Sequence, residues 1–174
     1  MDALHPPFPR TPDPWNRSSS LTVMSDDHPL VALAATWRGG GQGEYPTIGD
    51  FAYTEELVIA TVPDRPLAHW RSTTRDASTG EPRHAESGFL RVTPDGLELV
   101  VAHGFGIAET ATGNFDGGVL SLRSNRVLGT ATAKQVDQVE RRYEFGGDTV
   151  KYTIAMAAVG VPLTHHLRAE LHRA

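Results

Sequence analysis

The sequence predicts an all-β protein, a roughly ten-stranded antiparallel up-and-down β-barrel with a short N-terminal helix and a disordered N-terminal tail. Three observations predict this fold. About ten short segments of strand character follow one another, turns containing Gly, Asn or Asp separate them, and no long helical period interrupts them. Closure is the simplest arrangement for so many consecutive strands, because it removes the exposed edges of the sheet. A barrel somewhat larger than eight strands leaves room for a ligand inside.

The first 28 residues differ in composition from the rest of the chain. Five prolines alternate with polar residues, and a run of three serines follows. Such a segment buries too little apolar area to offset the entropy lost on ordering. We therefore expect residues 1–28 to be a disordered tail and residues 29–174 to form the barrel domain.

A short helix is expected next. Polar and acidic residues at 25–28 precede Pro29, and the apolar run Leu30 to Ala34 follows. Polar caps, a proline near the first turn and a following apolar run are the signals of a helix start. The run is long enough for one or two turns, which we expect to act as a lid or plug.

The first predicted strand begins at Trp37 and is rich in glycine, with Gly39, Gly40, Gly41 and Gly43 in close succession. Glycines in a strand mark a bend or a place where another group approaches the backbone closely. The remaining predicted strands are Phe51–Val62, Leu67–Thr74, Ala85–Val92, Leu97–His103, Ile107–Thr112, Val119–Ser124, Ala131–Phe145, Thr149–Ala158 and Thr164–His172.

Composition excludes several classes of protein. The chain has 174 residues, enough for one domain with a sizeable core, and carries a net charge of −5. The acidic balance argues against a nucleic-acid-binding protein. The absence of cysteine excludes disulfides, thiolate metal sites and a cysteine nucleophile. No apolar run is long enough for a membrane span, and no secretory signal is present, so we expect a cytoplasmic protein without a membrane partner.

Histidine is the remaining candidate for metal chemistry. Histidines occur at 69, 84, 103, 165, 166 and 172 in the predicted barrel, and none of them forms a recognised zinc spacing. A single neutral imidazole is nevertheless sufficient to bind a heme iron. Without other information, any one of these side chains is more often a surface or hydrogen-bonded residue than a ligand.

Neither of two adjacent charged pairs is predicted to form a catalytic site. Glu55 and Glu56 are adjacent on a strand and therefore point to opposite faces, which makes them a poor catalytic pair. Arg141 and Arg142 are interpreted as part of a solvated face.

Several motifs together resemble the nitrobindins, a family of heme-binding β-barrels related in shape to fatty-acid-binding proteins. The opening motif contains Ala35, Trp37, Gly39 and Gly41, followed by Tyr-Pro-Thr at 45–47. The similarity continues through Phe51–Glu56, His84–Arg91 and Thr132–Lys134, and it ends with Pro162–Ala169. The first glycine of the family motif is Ala35 here, a small change.

The resemblance implies a ferric heme b inside a barrel of about ten strands, with His166 as the proximal iron ligand. It also implies that Thr47 and Lys134 contact the heme and that His84 lies near the pocket. The associated activity is isomerisation of peroxynitrite to nitrate with reversible binding of nitric oxide, and relatives suggest a homodimer. Arg83 departs from the family pattern, and we expect it to point to solvent rather than to attract an anion.

Strand alternation and the family motif disagree about which histidine faces inward. His165 shares a face with Leu167, Ala169 and Leu171, whereas His166 falls on the other face. The motif favours His166, and a β-bulge or a wide pocket mouth would reconcile the two. We predict His166 as the ligand.

Two other functions are compatible with the same fold. A heme-free barrel could carry a fatty acid or another apolar ligand, with Arg91, Arg123 and Tyr53 as a clamp for its carboxylate. Alternatively, the barrel could be a scaffold for an interaction domain. Uptake of heme separates both from the first hypothesis.

Overall fold

The computed structural model describes residues 28–174. Residues 1–27, which are nearly all of the predicted tail, lie outside the described residues, and the tail stays a prediction. Within residues 28–174, no helix has the length and apolar character needed to cross a membrane.

Ten antiparallel strands form a closed barrel, as predicted. Each strand pairs with its neighbours in the chain, and β1 pairs with β10 to close the ring. The single described helix, α1, precedes the strands. The elements are α1 (Leu30–Leu33), β1 (Ala35–Tyr45), β2 (Ile48–Thr61), β3 (Leu67–Asp76), β4 (Pro82–Thr93), β5 (Gly96–His103), β6 (Ile107–Asp116), β7 (Val119–Gly129), β8 (Val136–Gly146), β9 (Thr149–Ala158) and β10 (Val161–Arg173).

Alternation along each strand separates an inner face from an outer face. On β2, the side chains of Tyr53, Glu55, Leu57 and Ile59 are buried inside the barrel. Glu56 lies on the outer face, where it forms ion pairs with arginines of neighbouring strands. The predicted separation of Glu55 and Glu56 is therefore confirmed.

The two ends of the barrel are built differently. Every second hairpin turns at one end of the barrel, which we call the mouth. These five hairpins are β1–β2, β3–β4, β5–β6, β7–β8 and β9–β10. The other end, which we call the closed end, carries the remaining hairpins and α1. Leu30 and Leu33 of α1 are fully buried there against Trp37, whose Nε1–H donates to the carbonyl of Leu33 at 3.1 Å. The predicted helical plug is thus present as one turn.

Most of the apolar core lies between the plug and the middle of the barrel. Aromatic rings pack edge to face around Trp37 and Trp70, whose side chains are both fully buried. Close packing of this kind stabilises the fold, because each buried aliphatic or aromatic side chain removes apolar area from water. Core residues include Leu30, Leu33, Trp37, Leu57, Ile59, Trp70, Leu90, Leu97, Leu99, Leu120, Leu122, Val150 and Leu171.

The glycines of β1 permit close approach, as their spacing predicted. A Cβ on Gly39 would collide with the main chain of Glu170 on β10. A Cβ on Gly41 would lie 2.5 Å from the hydroxyl of Tyr53. Neighbouring backbone and an inward tyrosine therefore occupy the space that a side chain would need.

The predicted start of the eighth strand at Ala131 is wrong. β8 begins at Val136, and the preceding segment is a loop at the mouth. Its backbone forms a local turn, in which the N–H of Ala133 donates to the carbonyl of Thr130 at 3.1 Å. A local turn uses the groups that would otherwise pair with β7.

Candidate functional site

A cavity of about 260 Å³ opens at the mouth of the barrel. Its outer part is mainly apolar and aromatic, and its floor is polar and charged. Such a mixture of apolar walls with a few convergent polar groups is typical of a small-molecule site. The lining residues are Ile48, Phe51, Tyr53, Glu55, Ser72, Thr74, Arg83, His84, Glu86, His103, Phe105, Ile107, Glu109, Val127, Val136, Val139, Arg141, Tyr143, Tyr152, Ile154, Met156, His166 and Leu167.

His166 lines this cavity because of a β-bulge in β10. His165 pairs with Ala155 and Leu167 pairs with Ile154, so His166 is an extra residue in the ladder. A bulge of one residue reverses the face on which the preceding side chains lie. His165 consequently lines a separate outer depression, while both His166 and Leu167 line the cavity.

The imidazole of His166 is oriented by contacts on its far side. Its Nδ1 lies 3.0 Å from the carbonyl oxygen of Glu44, which can only accept, so Nδ1 carries the proton. The rings of Tyr45 and Phe51 pack edge-on against the imidazole at 5.3 and 6.3 Å. Burial lowers the pKa of His166, and a neutral imidazole with its Nε2 lone pair free results.

The floor of the cavity contains a buried ion-pair cluster. Arg141 donates to both oxygens of Glu86, each at 3.0 Å, and to Glu109 Oε2 at 2.7 Å. Trp70 Nε1 also donates to Glu86 at 2.7 Å. Burial alone would raise the pKa of both carboxyl groups, but the guanidinium between them holds each pKa below its ordinary value. All three groups are therefore charged at neutral pH.

The interpretation of Arg141 as a solvated residue is wrong. Arg142 is exposed and pairs with Glu144 at the surface, whereas Arg141 is almost completely buried. The sequence did contain a signal: Arg141 is two residues from both Val139 and Tyr143, which are buried on the inner face of β8. Alternation across these three positions places the guanidinium inside.

A second polar group lies beside this cluster. Glu55 accepts hydrogen bonds from Ser72 at 2.6 Å and from Tyr152. Tyr152 in turn lies 2.7 Å from the hydroxyl of Tyr53. Burial raises the pKa of Glu55 above its ordinary value, since no cation compensates its charge as directly as Arg141 compensates Glu86.

Two histidines lie on the wall between the floor and the mouth. His84 on β4 and His103 at the end of β5 approach to 3.3 Å between Nε2 and Nδ1. Phe105 packs against both rings at 5.0 and 5.4 Å between centroids. The prediction placed His84 near the pocket, and the side chain lines the cavity; His103 was not singled out as its partner.

Arg83 lies at the rim of the cavity. Its side chain is exposed, as expected, and its guanidinium also stacks 4.3 Å above the ring of Phe51. Its Nη2 donates to Asp76 Oδ2 at 2.7 Å. Hydrogen bonds from Ser78, followed by this contact with Arg83, lower the pKa of Asp76. Asp76 offsets much of the positive charge at the rim.

Thr47 and Lys134 are exposed and occupy loops at the mouth. Thr47 lies in the β1–β2 turn beside Ile48, and Lys134 in the β7–β8 loop two residues before Val136. Both neighbours line the cavity, but neither Thr47 nor Lys134 does so. The loops bring the two residues to the same end of the barrel as His166, and their contact with a cofactor stays a prediction.

The donor set fits a heme. A planar, largely apolar macrocycle requires apolar walls and one axial ligand, and the cavity supplies both. His166 presents its Nε2, and its other nitrogen is fixed by a backbone carbonyl, the arrangement usual for a metal-binding histidine. Apolar side chains from four strands and the β5–β6 hairpin line the outer part of the cavity: Phe51, Phe105, Val127, Val136, Val139, Ile154 and Met156.

Over most of its length, the chain matches one protein family and several related bacterial proteins. Residues 27–173 match the family described as the THAP4-like, heme-binding beta-barrel domain. The peroxynitrite isomerase of Nocardia farcinica is 42% identical, with 88% of this chain and 94% of that protein covered. Peroxynitrite isomerase 2 of Mycobacterium avium is 44% identical, with 87% and 99% covered.

A solved structure shows the same architecture. The crystal structure of Rv2717c from M. tuberculosis superposes with a TM-score of 0.75 at 40% sequence identity. The match covers 83% of this chain and 94% of that one.

Proposed function

The chain belongs to the family of THAP4-like, heme-binding beta-barrel domains, and from that premise we propose that it is a heme-dependent peroxynitrite isomerase. The proposal assigns a ferric heme b to the cavity, His166 to the iron, and nitrate to the product. The single observation that carries it is the bulged His166, which presents a neutral nitrogen to an apolar cavity. Reversible binding of nitric oxide is proposed for the same site.

His166 would hold the iron through Nε2. The Glu44 carbonyl fixes the tautomer by accepting from Nδ1, and the rings of Tyr45 and Phe51 limit rotation of the imidazole. Because burial disfavours the imidazolium, the lone pair is available at neutral pH without displacing a proton. Thr47 and Lys134 are proposed to contact the cofactor from the loops at the mouth.

When bound, a ferric heme supplies an open coordination position that acts as a Lewis acid on a peroxo oxygen. The chain itself forms the walls of the cavity around that position and limits the access of water to it. The apolar walls would exclude water and restrict escape from this space, which would favour isomerisation of the anion over its release. His84 and Arg83 lie at the edge of this space and are the polar side chains that an entering anion would meet.

The carrier hypothesis receives no support from the predicted clamp. Arg91 and Arg123 are exposed on the outside of the barrel, where each pairs with a glutamate. Tyr53 is inside, but its hydroxyl is already bonded to Tyr152. The arginine that does enter the barrel, Arg141, is neutralised by two carboxylates. A cytoplasmic location and a homodimer stay predictions.

Heme titration followed by absorption spectroscopy tests the ligand. The wild-type chain should develop a Soret band with one heme per chain, and His166→Ala should lose it. His165→Ala is the matched control, because its side chain lies on the outer face one residue away. Loss of the band in His165→Ala with retention in His166→Ala would overturn the assignment, and no uptake by the wild type would favour the carrier.

Stopped-flow mixing with peroxynitrite tests the activity. The heme-loaded chain should accelerate peroxynitrite decay in proportion to its concentration and raise the yield of nitrate. Heme-loaded protein that leaves the decay rate unchanged would contradict the isomerase assignment while leaving heme binding intact.

A further inference from the structure

We propose that the cavity contains a second metal site, in which His84, Glu86 and His103 bind a divalent first-row transition-metal ion such as Zn²⁺ or Fe²⁺. Two imidazoles and one carboxylate are a common ligand set for these ions, with further positions left open for solvent or substrate. The site is distinct from the heme site proposed above and uses none of the same ligands. It lies on β4 and β5, which stand across the ring of strands from β10 and its His166.

The three ligand atoms form a nearly equilateral triangle. His84 Nε2 and His103 Nδ1 are 3.3 Å apart, and Glu86 Oε2 lies 3.6 Å from the first and 3.5 Å from the second. Ligands about 2.1 Å from a tetrahedral metal are about 3.4 Å from one another. The spacing of the triangle therefore matches one face of a metal coordination sphere.

Strand geometry produces the triangle. His84 and Glu86 are two residues apart on β4, so both point into the barrel. His103 is the direct cross-strand partner of Glu86 on β5, where side chains on one face lie closest. No local spacing motif results, because the third ligand comes from a neighbouring strand. The strand register, not the sequence spacing, brings the set together.

The surroundings of His103 favour a lone pair directed into the triangle. His103 Nε2 lies 3.3 Å from Glu109 Oε2 without forming a hydrogen bond to it, and a carboxylate opposite that nitrogen favours a proton there. The Nδ1 of His103 is then the unprotonated nitrogen, as in a carboxylate–histidine–metal arrangement. Glu86 and Glu109 share Arg141, and the three groups together leave one negative charge to offset a dication.

The fourth position is reachable from the cavity. Glu86 is buried, the side chains of His103 and His84 are 7% and 27% exposed, and all three residues line the cavity. Phe105 closes the other side of both imidazoles and restricts their rotation. A metal bound here would thus be held rigidly by the protein and would keep an open coordination position towards the cavity.

Titration of the full-length, untagged chain with Co²⁺ before heme addition tests this site. Visible d–d absorption should saturate at one Co²⁺ per chain, and Zn²⁺ should displace it; calorimetry with Zn²⁺ gives the affinity independently. His84→Ala should weaken Zn²⁺ binding at least about 100-fold, more than the loss caused by a changed outer-shell partner. Because His84 is partly exposed, this variant should fold, which circular dichroism verifies; His103→Gln repeats the test from the other strand.

Two controls separate this site from other histidines. His69→Ala removes an exposed imidazole on the outer surface, and His166→Ala removes the proposed heme ligand. Both should bind Co²⁺ like the wild type. Failure of the wild type to bind Co²⁺ or Zn²⁺, or equal binding by folded His84→Ala, would show that the triangle is only a hydrogen-bonded histidine pair. Either result is independent of whether the chain takes up heme.

Discussion

The closed end and the mouth of this barrel bury very different side chains with the same strands. At the closed end, α1 and the inner faces of the strands contribute leucines, valines and aromatic rings that fill the interior. Towards the mouth, the same inner faces carry carboxylates, an arginine, histidines and tyrosines around an open cavity.

The difference shows that one end of the barrel stabilises the fold while the other end carries the functional groups. Burial of apolar side chains at the closed end stabilises the barrel. The mouth half buries charges that are costly to desolvate and must compensate one another. The closed end therefore supports a site whose own groups contribute little net stability.

Breaking the charge compensation should have the largest effect. Arg141→Met leaves Glu86 and Glu109 buried without a cation, and we expect a loss of about 4 kcal/mol in the free energy of unfolding. Denaturant unfolding followed by tryptophan fluorescence measures it. Arg142→Met is the matched control, since the neighbouring arginine is exposed, and its effect should stay within about 0.5 kcal/mol. Equal losses of unfolding free energy for the two substitutions would contradict the claim that the mouth half depends on charge compensation by Arg141.

Opening the closed end should have the next largest effect. Leu33→Ala creates a cavity beneath Trp37, and we expect a loss of about 3 kcal/mol. Val31→Ala, on the exposed side of the same helical turn, should change stability by about 0.5 kcal/mol or less. If the plug serves stability alone, heme uptake by folded Leu33→Ala should equal that of the wild type. A selective loss of uptake would show that the two ends are coupled.

The smallest effect concerns Glu55 and depends on pH. Its pKa is raised in the folded state, so wild-type stability falls as pH rises from about 4.5, the value in the unfolded chain, through the folded value. Glu55→Gln does not titrate, and its stability relative to wild type should grow between pH 4 and pH 8. Unfolding curves at both pH values measure the difference.

Glu56→Gln is the control for that prediction. Glu56 lies on the outer face and pairs with Arg38 and Arg71, so its replacement should cost at most about 1 kcal/mol and should give no gain as pH rises. A parallel pH-dependent gain in both variants would contradict the role of burial.

The fold could be predicted from sequence in nearly all its elements, because alternation and turn residues act locally. The exception at the start of β8 reflects a loop whose turn, from Thr130 to Ala133, contains no Gly, Asn, Asp or Pro. The inward position of Arg141 could have been predicted, because strand alternation places it on the same face as Val139 and Tyr143. The pairing of His84 with His103 could not be predicted, since cross-strand register depends on hairpins and bulges distributed over the chain.

The ligand prediction depended on the family motif, because alternation alone points to His165. The bulge that resolves the conflict leaves no distinctive residue in the sequence, as neither His165 nor His166 is a glycine. Thr47 and Lys134 illustrate a different limit. Their loops are placed by the fold, but whether a side chain in a loop touches a cofactor depends on the cofactor itself.

The extra residue in β10 changes which positions of the strand face the cavity. From Leu167 to Leu171 the strand keeps the odd-numbered positions inside, whereas at His166 an even-numbered position also faces the cavity. The bulge thus determines which side chain faces the cavity, while the alternation of apolar residues in the rest of the strand stays the same. For redesign, the choice of the histidine that faces the cavity and the packing pattern of this strand are therefore separate variables.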